Sequence, residues 1–239
     1  PTTRKFSFYR YELENPSGLN TDPIYNAFCD ANGNIWLGTY FGGINFWEAE
    51  ERFFTTWKSG AGKRQLGGNV VSCLREDESG NLWIGLEDMG LNKLDLVTGE
   101  IEKFTSSSDD KGLTYNNLHD LMFVGGTRLW IATYTGGINI LDTQTRRYRY
   151  INRKTHPELP SDNIYSFLPV GDSIFIATTG GIAVYNPKSD ALNTFFHSEL
   201  SRFQFESMCQ SDDRIWFSCF ENLFYYDLHT KTLHRFERI

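Results

Sequence analysis

Asp30-Ala31-Asn32-Gly33-Asn34-Ile35-Trp36-Leu37-Gly38-Thr39 reads as a tight turn feeding a short apolar strand. Asn and Gly supply the positive φ that two-residue hairpins demand. The run Ile35-Trp36-Leu37-Gly38 shows no polar alternation, which suits a strand covered on both faces. The same unit returns as Leu82-Trp83-Ile84-Gly85, Leu129-Trp130-Ile131-Ala132, Ile174-Phe175-Ile176-Ala177 and Ile215-Trp216-Phe217-Ser218. Its spacings are 47 (83−36), 47 (130−83), 45 (175−130) and 41 (216−175).

Working outward, each apolar run follows a turn: Asn32-Gly33, Ser79-Gly80, Gly125-Gly126, Gly171-Asp172 or Asp212-Asp213. A strand precedes each turn, at residues 24–28, 70–74, 118–123, 164–168 and 205–209. After the run comes a second turn and a third strand, as in Gly42-Gly43-Ile44-Asn45-Phe46 and Gly136-Gly137-Ile138-Asn139-Ile140. The fifth copy has Glu221-Asn222 there, with Asn the expected left-handed residue. Asp95, Asp142, Asn186 and Asp227 open a further turn as Asx residues, and a fourth strand ends on Trp57, Phe104, Tyr150, Phe195 or Phe236.

Four antiparallel strands every 41 to 47 residues, without helical periodicity, predict an all-β chain of β-propeller blades. Five complete blades are expected, at residues 23–57, 69–105, 117–151, 163–196 and 204–238 of a single domain 1–239. Residues 6–11 match a fourth strand but precede the first copy. They predict the outer strand of a preceding blade, and so an arc of a larger ring.

Composition sets the remaining bounds. Hydrophobic residues at 40% and aromatics at 15% suffice for a β-rich core and argue against disorder. A net charge of −7 without long basic runs excludes a nucleic-acid footprint as the main role. No apolar stretch approaches a membrane-spanning helix, and a chain opening at Pro1 reads as an internal piece of a longer protein. Cys29, Cys73, Cys209 and Cys219 lack zinc spacing and are expected to be buried thiols rather than disulfides. The five histidines have no matched spacing either, so neither a metal nor a cofactor is expected.

The pattern D-x-x-G-N-[IL]-W-[IL]-G-T followed by G-G-[IL]-N resembles the two-component regulator propeller repeat. Residues 30–39 are a near-ideal copy and residues 77–85 a second, while Phe175 and Glu221-Asn222 mark degenerate fourth and fifth copies. The resemblance implies a periplasmic sensor domain of a bacterial hybrid two-component system. There, seven-bladed propellers precede a further β-domain, a membrane helix and a cytoplasmic histidine kinase and response-regulator half. It also implies an oligosaccharide or other small periplasmic ligand, a homodimeric parent, and control of polysaccharide use.

No nucleophile elbow or HExxH motif is present, and Glu87-Asp88 and Asp109-Asp110 read as solvated acidic turns, so no enzyme activity is expected of this chain. A hydrolase or lyase is the lesser alternative, and a structural or dimerising segment the greater one. The strand tryptophans read as core. Loops 12–23, 58–69, 105–117, 152–163 and 197–204 gather at one end with the turns after each second strand. At that end, Tyr40, Phe41 and Tyr134 are candidates for stacking on sugars. Lys63, Arg64, Arg153, Lys154 and Arg202 are candidates for pairing with sulfate or carboxylate groups of an acidic glycan. Tyr25, His119, Tyr165 and Glu206, with Val71 in the second copy, are expected at equivalent places lining a channel mouth. Asn26, Ser72, Asp120, Ser166 and Ser207 are expected to follow them and satisfy backbone groups.

Overall fold

A computed structural model describes residues 8–15, 17–48, 54–108 and 111–236. The chain forms two compact units, Pro1–Lys103 and Phe104–Ile239. The first sheet contains β1 (Ile24–Cys29), β2 (Ile35–Thr39), β3 (Ile44–Trp47) and β4 (Phe54–Trp57), and the second β5 (Val71–Glu76), β6 (Asn81–Leu86), β7 (Gly90–Asp95) and β8 (Ile101–Phe104). In the second unit the third sheet contains β9 (Leu118–Val124), β10 (Arg128–Thr133), β11 (Ile138–Asp142) and β12 (Tyr148–Ile151). The fourth contains β13 (Ile164–Val170), β14 (Ser173–Thr178), β15 (Gly181–Asn186) and β16 (Ala191–Phe195). A helical turn α1 (His197–Leu200) leads to the fifth, β17 (Phe205–Ser211), β18 (Arg214–Cys219), β19 (Asn222–Asp227) and β20 (Thr232–Phe236). Every sheet pairs its strands in chain order, the up-and-down meander of a propeller blade.

The repeat motif explains itself in hydrogen bonds. Asp30 Oδ1 accepts the backbone N–H groups of Asn32 and Asn34, and its Oδ2 accepts the indole N–H of Trp36 at 2.9 Å. Asp77 does the same for Ser79, Asn81 and Trp83, again at 2.9 Å from the indole. The carboxylate therefore closes the turn and satisfies the one polar atom of a buried ring. Burial would raise both carboxyl groups, but these hydrogen bonds prevail and hold both below the usual carboxylate range. Gly33, Gly80 and Gly125 take the positive φ expected of the first hairpins. Asn222 does not; it opens β19 opposite Cys219, which leaves Phe220 and Glu221 to make the turn without a left-handed residue.

The third-strand asparagine of the motif is also structural. Asn45, Asn92 and Asn139 are fully buried, and their Oδ1 atoms accept backbone N–H groups of Asn20, Gly67 and Thr114 at 3.0, 2.8 and 2.7 Å. Each thereby pins the loop that leads into its own sheet. Leu19, Leu66, Leu113, Leu159 and Leu200 are buried in the five loops, a leucine anchor per repeat that the varied loop sequences conceal.

Trp36, Trp83 and Trp130 are 2%, 1% and 3% exposed, as expected of core residues. Trp216 departs from this and is half-buried. Trp130 packs edge-on against Phe167 and against Tyr185 of the next sheet, whereas Trp216 contacts Tyr225 and Phe236 of its own. The cysteine expectation also needs correction. All four are free, but only Cys73 is buried; Cys29 and Cys209 are exposed and Cys219 is intermediate, because they stand on the less covered first and fifth sheets. Of the expected extra strand, Phe6 and Ser7 lie outside the described residues, and Tyr11 makes an isolated parallel bridge to Leu19.

Candidate functional site: the inner-strand bulges

Each sheet's first strand carries a bulge at its start, where one extra residue opposes the second strand. The register shifts fall at Ile24/Asn26, Val71/Cys73, Ala132/Thr133, Ile164/Ser166 and Phe205/Ser207. The inserted residues are Tyr25, Ser72, His119, Tyr165 and Glu206. A bulge re-aims one side chain without ending the strand, which is why such positions recur at sites. The repeat spacing puts Val71 in this row and Ser72 in the next. The ladder instead pairs Val71 with Leu86 as a buried core residue and puts Cys73, not Ser72, beside Asn26, Asp120, Ser166 and Ser207. A one-residue bulge leaves no mark in a hydrophobic pattern.

In the second unit, the first strands β9 and β17 both pack against β13. The imidazole of His119 stacks on Tyr165 with centroids 4.4 Å apart and planes 24° apart. His119 Nδ1 lies 2.8 Å from the carbonyl oxygen of Ile164, so Nδ1 carries the proton and donates. Tyr134, from the turn after β10, meets His119 at 5.9 Å and Tyr115 at 6.2 Å. Gln204 Nε2 donates both to the Tyr165 hydroxyl and to Glu206 Oε1, each at 3.1 Å. Burial raises the Tyr165 phenol, with smaller contributions from the Glu206 charge and Tyr134. Beneath this row, Asp120 Oδ2 accepts the Phe167 N–H at 2.9 Å, tying β9 to β13.

The result is a string of six side chains, Tyr115, Tyr134, His119, Tyr165, Gln204 and Glu206, that alternates ring faces with hydrogen-bonding groups. Tyr115 and Tyr134 remain 42% and 41% exposed. Aromatic faces beside oriented polar groups suit a ligand with apolar C–H faces and equatorial hydroxyls. Tyr115 and Gln204 were missed by sequence reasoning, since both lie in loops just ahead of the strand pattern.

The first unit brings Tyr25, Tyr40 and Phe41 together. Tyr25 meets Tyr40 edge-on at 5.3 Å, and Tyr40 meets Phe41 at 4.2 Å. Pro23, Ile24, Tyr25 and Tyr40 line a shallow cavity of about 270 Å³. Phe41 has φ of 72° and is 68% exposed, an uncommon conformation for a bulky residue and one found preferentially at ligand clamps. Burial raises the Tyr25 phenol, followed by the charge and hydrogen bond of Glu87. Glu87 of the expected acidic turn is therefore engaged with Tyr25, and Asp88 beside it has φ of 70°.

Lys63 and Arg64 are placed elsewhere. The Lys63 carbonyl accepts the Ile101 N–H at 2.6 Å and its ammonium sits 3.9 Å from Glu100, which fixes this loop against the outermost strand β8. Arg202 packs over Phe203 at 5.0 Å. Arg153 donates its backbone N–H to Asp162 at 2.7 Å. Asp109 and Asp110 lie outside the described residues. Among the described residues no cluster of His, Cys, Asp and Glu has the makings of a metal site. No described helix is long and apolar enough to cross a membrane.

The two-component regulator propeller family matches residues 18–41 and 65–88, the turn-and-strand cores of the first two sheets. No curated protein matches the sequence. In fold, the chain is similar to the extracellular domain of a proposed hybrid two-component system of B. thetaiotaomicron, with a TM-score of 0.78 at 20% identity over 95% of this chain and 32% of that one. An extracellular domain described as belonging to a one-component system of the same bacterium gives 0.69 at 17% identity, covering 100% of this chain and 40% of that one. The chain thus spans well under half the length of these two. A catalytically inactive virginiamycin B lyase from Staphylococcus aureus gives 0.67 at 12% identity, covering 95% and 72% of the two chains, so the fold alone does not decide between binding and catalysis. The chain has the β-propeller fold, matches the two-component regulator propeller family over residues 18–41 and 65–88, and is similar in fold to these extracellular domains.

Proposed function

We propose that this chain is the ligand-recognition part of a periplasmic sensor propeller, and that its ligand is an oligosaccharide. The parent would be a homodimeric hybrid histidine kinase controlling polysaccharide use. The observation that carries the reading is the alternation of rings and polar groups along Tyr115, Tyr134, His119, Tyr165, Gln204 and Glu206. These residues recur at bulges and turns where packing asks for no aromatic. Titration of the chain with neutral and acidic oligosaccharides by calorimetry tests it: saturable heat with intact glycan recovered supports binding, and glycan cleavage would replace sensing by hydrolysis or elimination.

A second reading, a segment that mediates contacts while the ligand site lies elsewhere, is favoured by one feature. Tyr9, Ile24, Ile35, Leu37, Trp47 and Phe54 border an apolar hollow of about 280 Å³ on the first sheet. Silence across the glycan panel together with concentration-dependent self-association in sedimentation would favour that reading.

A further inference from the structure

At the end of β9 opposite His119, the third and fourth sheets enclose a pocket of about 380 Å³. Three guanidinium groups border it, from Arg128 at the start of β10, Arg147 just before β12, and Arg149 on β12. Trp130 and Ile140 form apolar wall, with Tyr148 and Tyr185 beside them. In a chain of net charge −7, three arginines converging on one concavity are not a compositional accident.

The nearby carboxylates leave this charge only partly answered. Asp142 Oδ1 already accepts the backbone N–H groups of Gln144 and Thr145 at 3.1 and 2.7 Å. Asp190 bonds to Arg149 and accepts the Tyr185 hydroxyl proton at 2.5 Å, and Arg149 also reaches that hydroxyl at 3.4 Å. Arg149 is therefore held in place by its own partners. Arg147 is exposed and makes no ion pair among the described residues. Arg128 stands opposite Asp142 across the β10–β11 ladder.

We propose that this pocket binds the oxyanion, a carboxylate or sulfate ester, of a small organic ligand whose body rests on Tyr148 and Tyr185. Guanidinium groups present a planar fork matched to two oxygens of such an anion, and they stay charged at every physiological pH. An anion among the arginines relieves their mutual repulsion, and the aromatic wall supplies contact area for the rest of the molecule. The site is separate from the bulge row at the other end of the same strand and does not depend on it.

Calorimetric titration of the chain with glucuronate, glucose 6-sulfate, inorganic sulfate and glucose tests the assignment. Glucuronate or glucose 6-sulfate is expected to bind at least about tenfold more tightly than inorganic sulfate, with glucose silent, and Arg147→Ala to weaken that binding by about tenfold or more. Arg128→Gln serves as a second variant should Arg147→Ala unfold. Absence of binding by both sugar acids, equal binding by inorganic sulfate, or undiminished binding in folded Arg147→Ala or Arg128→Gln protein overturns the proposal.

Discussion

His119 and Tyr165 stack ring on ring across two adjacent blades, 4.4 Å between centroids, with the imidazole Nδ1–H anchored on the Ile164 carbonyl. The pair is built by two bulges, one in β9 and one in β13, and Tyr165 lies only at the margin of the core cluster around Phe205 and Phe217, where a leucine can take up its apolar contacts. Replacing Tyr165 by Leu should therefore shift the melting temperature little while removing the stacking face. Thermal denaturation of this variant beside its glycan titration checks both halves of the expectation.

The Asp–Trp hydrogen bond of the repeat gives a stability prediction. Trp83→Phe keeps most of the apolar volume but strands the Asp77 carboxylate without its indole donor, and should cost about 1–2 kcal/mol. Trp83→Ala opens a cavity in a fully packed site and should cost about 3–5 kcal/mol. Urea titrations of the two variants should separate them by midpoint.

The same carboxylates predict acid sensitivity. Hydrogen bonds hold the folded Asp30 and Asp77 carboxyls below the usual carboxylate range, so their contribution to stability is complete above the unfolded value and is lost as pH falls through the lower folded values. An Asp30→Asn/Asp77→Asn variant should be less stable at neutral pH and lose less further stability below about pH 4. Melting temperatures of both proteins between pH 6 and 2.5 (roughly the span over which carboxylates titrate) provide the check.

Two glycines with similar dihedrals should respond differently. A Cβ on Gly43 (φ +80°) would stand 2.1 Å from the Trp57 carbonyl oxygen, while one on Gly80 (φ +78°) meets nothing within 4 Å. Gly43→Ala should cost about 2–5 kcal/mol, adding a backbone clash to left-handed strain, and Gly80→Ala about 1 kcal/mol from strain alone. Chemical denaturation distinguishes the two.

The loop anchors link stability to the site. Leu113 is fully buried and its neighbour Thr114 donates to Asn139, and together they fix the loop that carries Tyr115. Leu113→Ala should cost about 2–5 kcal/mol and weaken any ligand bound at Tyr115. Hydrogen exchange of the 111–117 backbone amides should quicken in the variant.

Strands and turns were legible because their causes are local. The Asx oxygens of Asp95, Asp142, Asn186 and Asp227 do cap their turns, and Trp36, Trp83 and Trp130 are buried as their apolar neighbours implied. What failed was set by register and by distant partners. The bulge shifted Val71 into the core and Ser72 into the mouth position. The Ile101 N–H drew the Lys63–Arg64 loop to the outer strand, and no charge pattern in that loop foretells it. Tyr115 and Gln204 reach the site from loops whose anchors, Leu113 and Leu200, are single residues in otherwise variable sequence.

The most direct test of the proposed recognition site is calorimetric titration of wild-type and His119→Ala/Tyr165→Leu proteins against a panel of neutral cello-, xylo- and manno-oligosaccharides. The account predicts saturable binding of at least one glycan by the wild type, weakened about tenfold or more in the double variant while its melting temperature is nearly unchanged. Undiminished affinity in a folded double variant, or no binding across the panel, would contradict it.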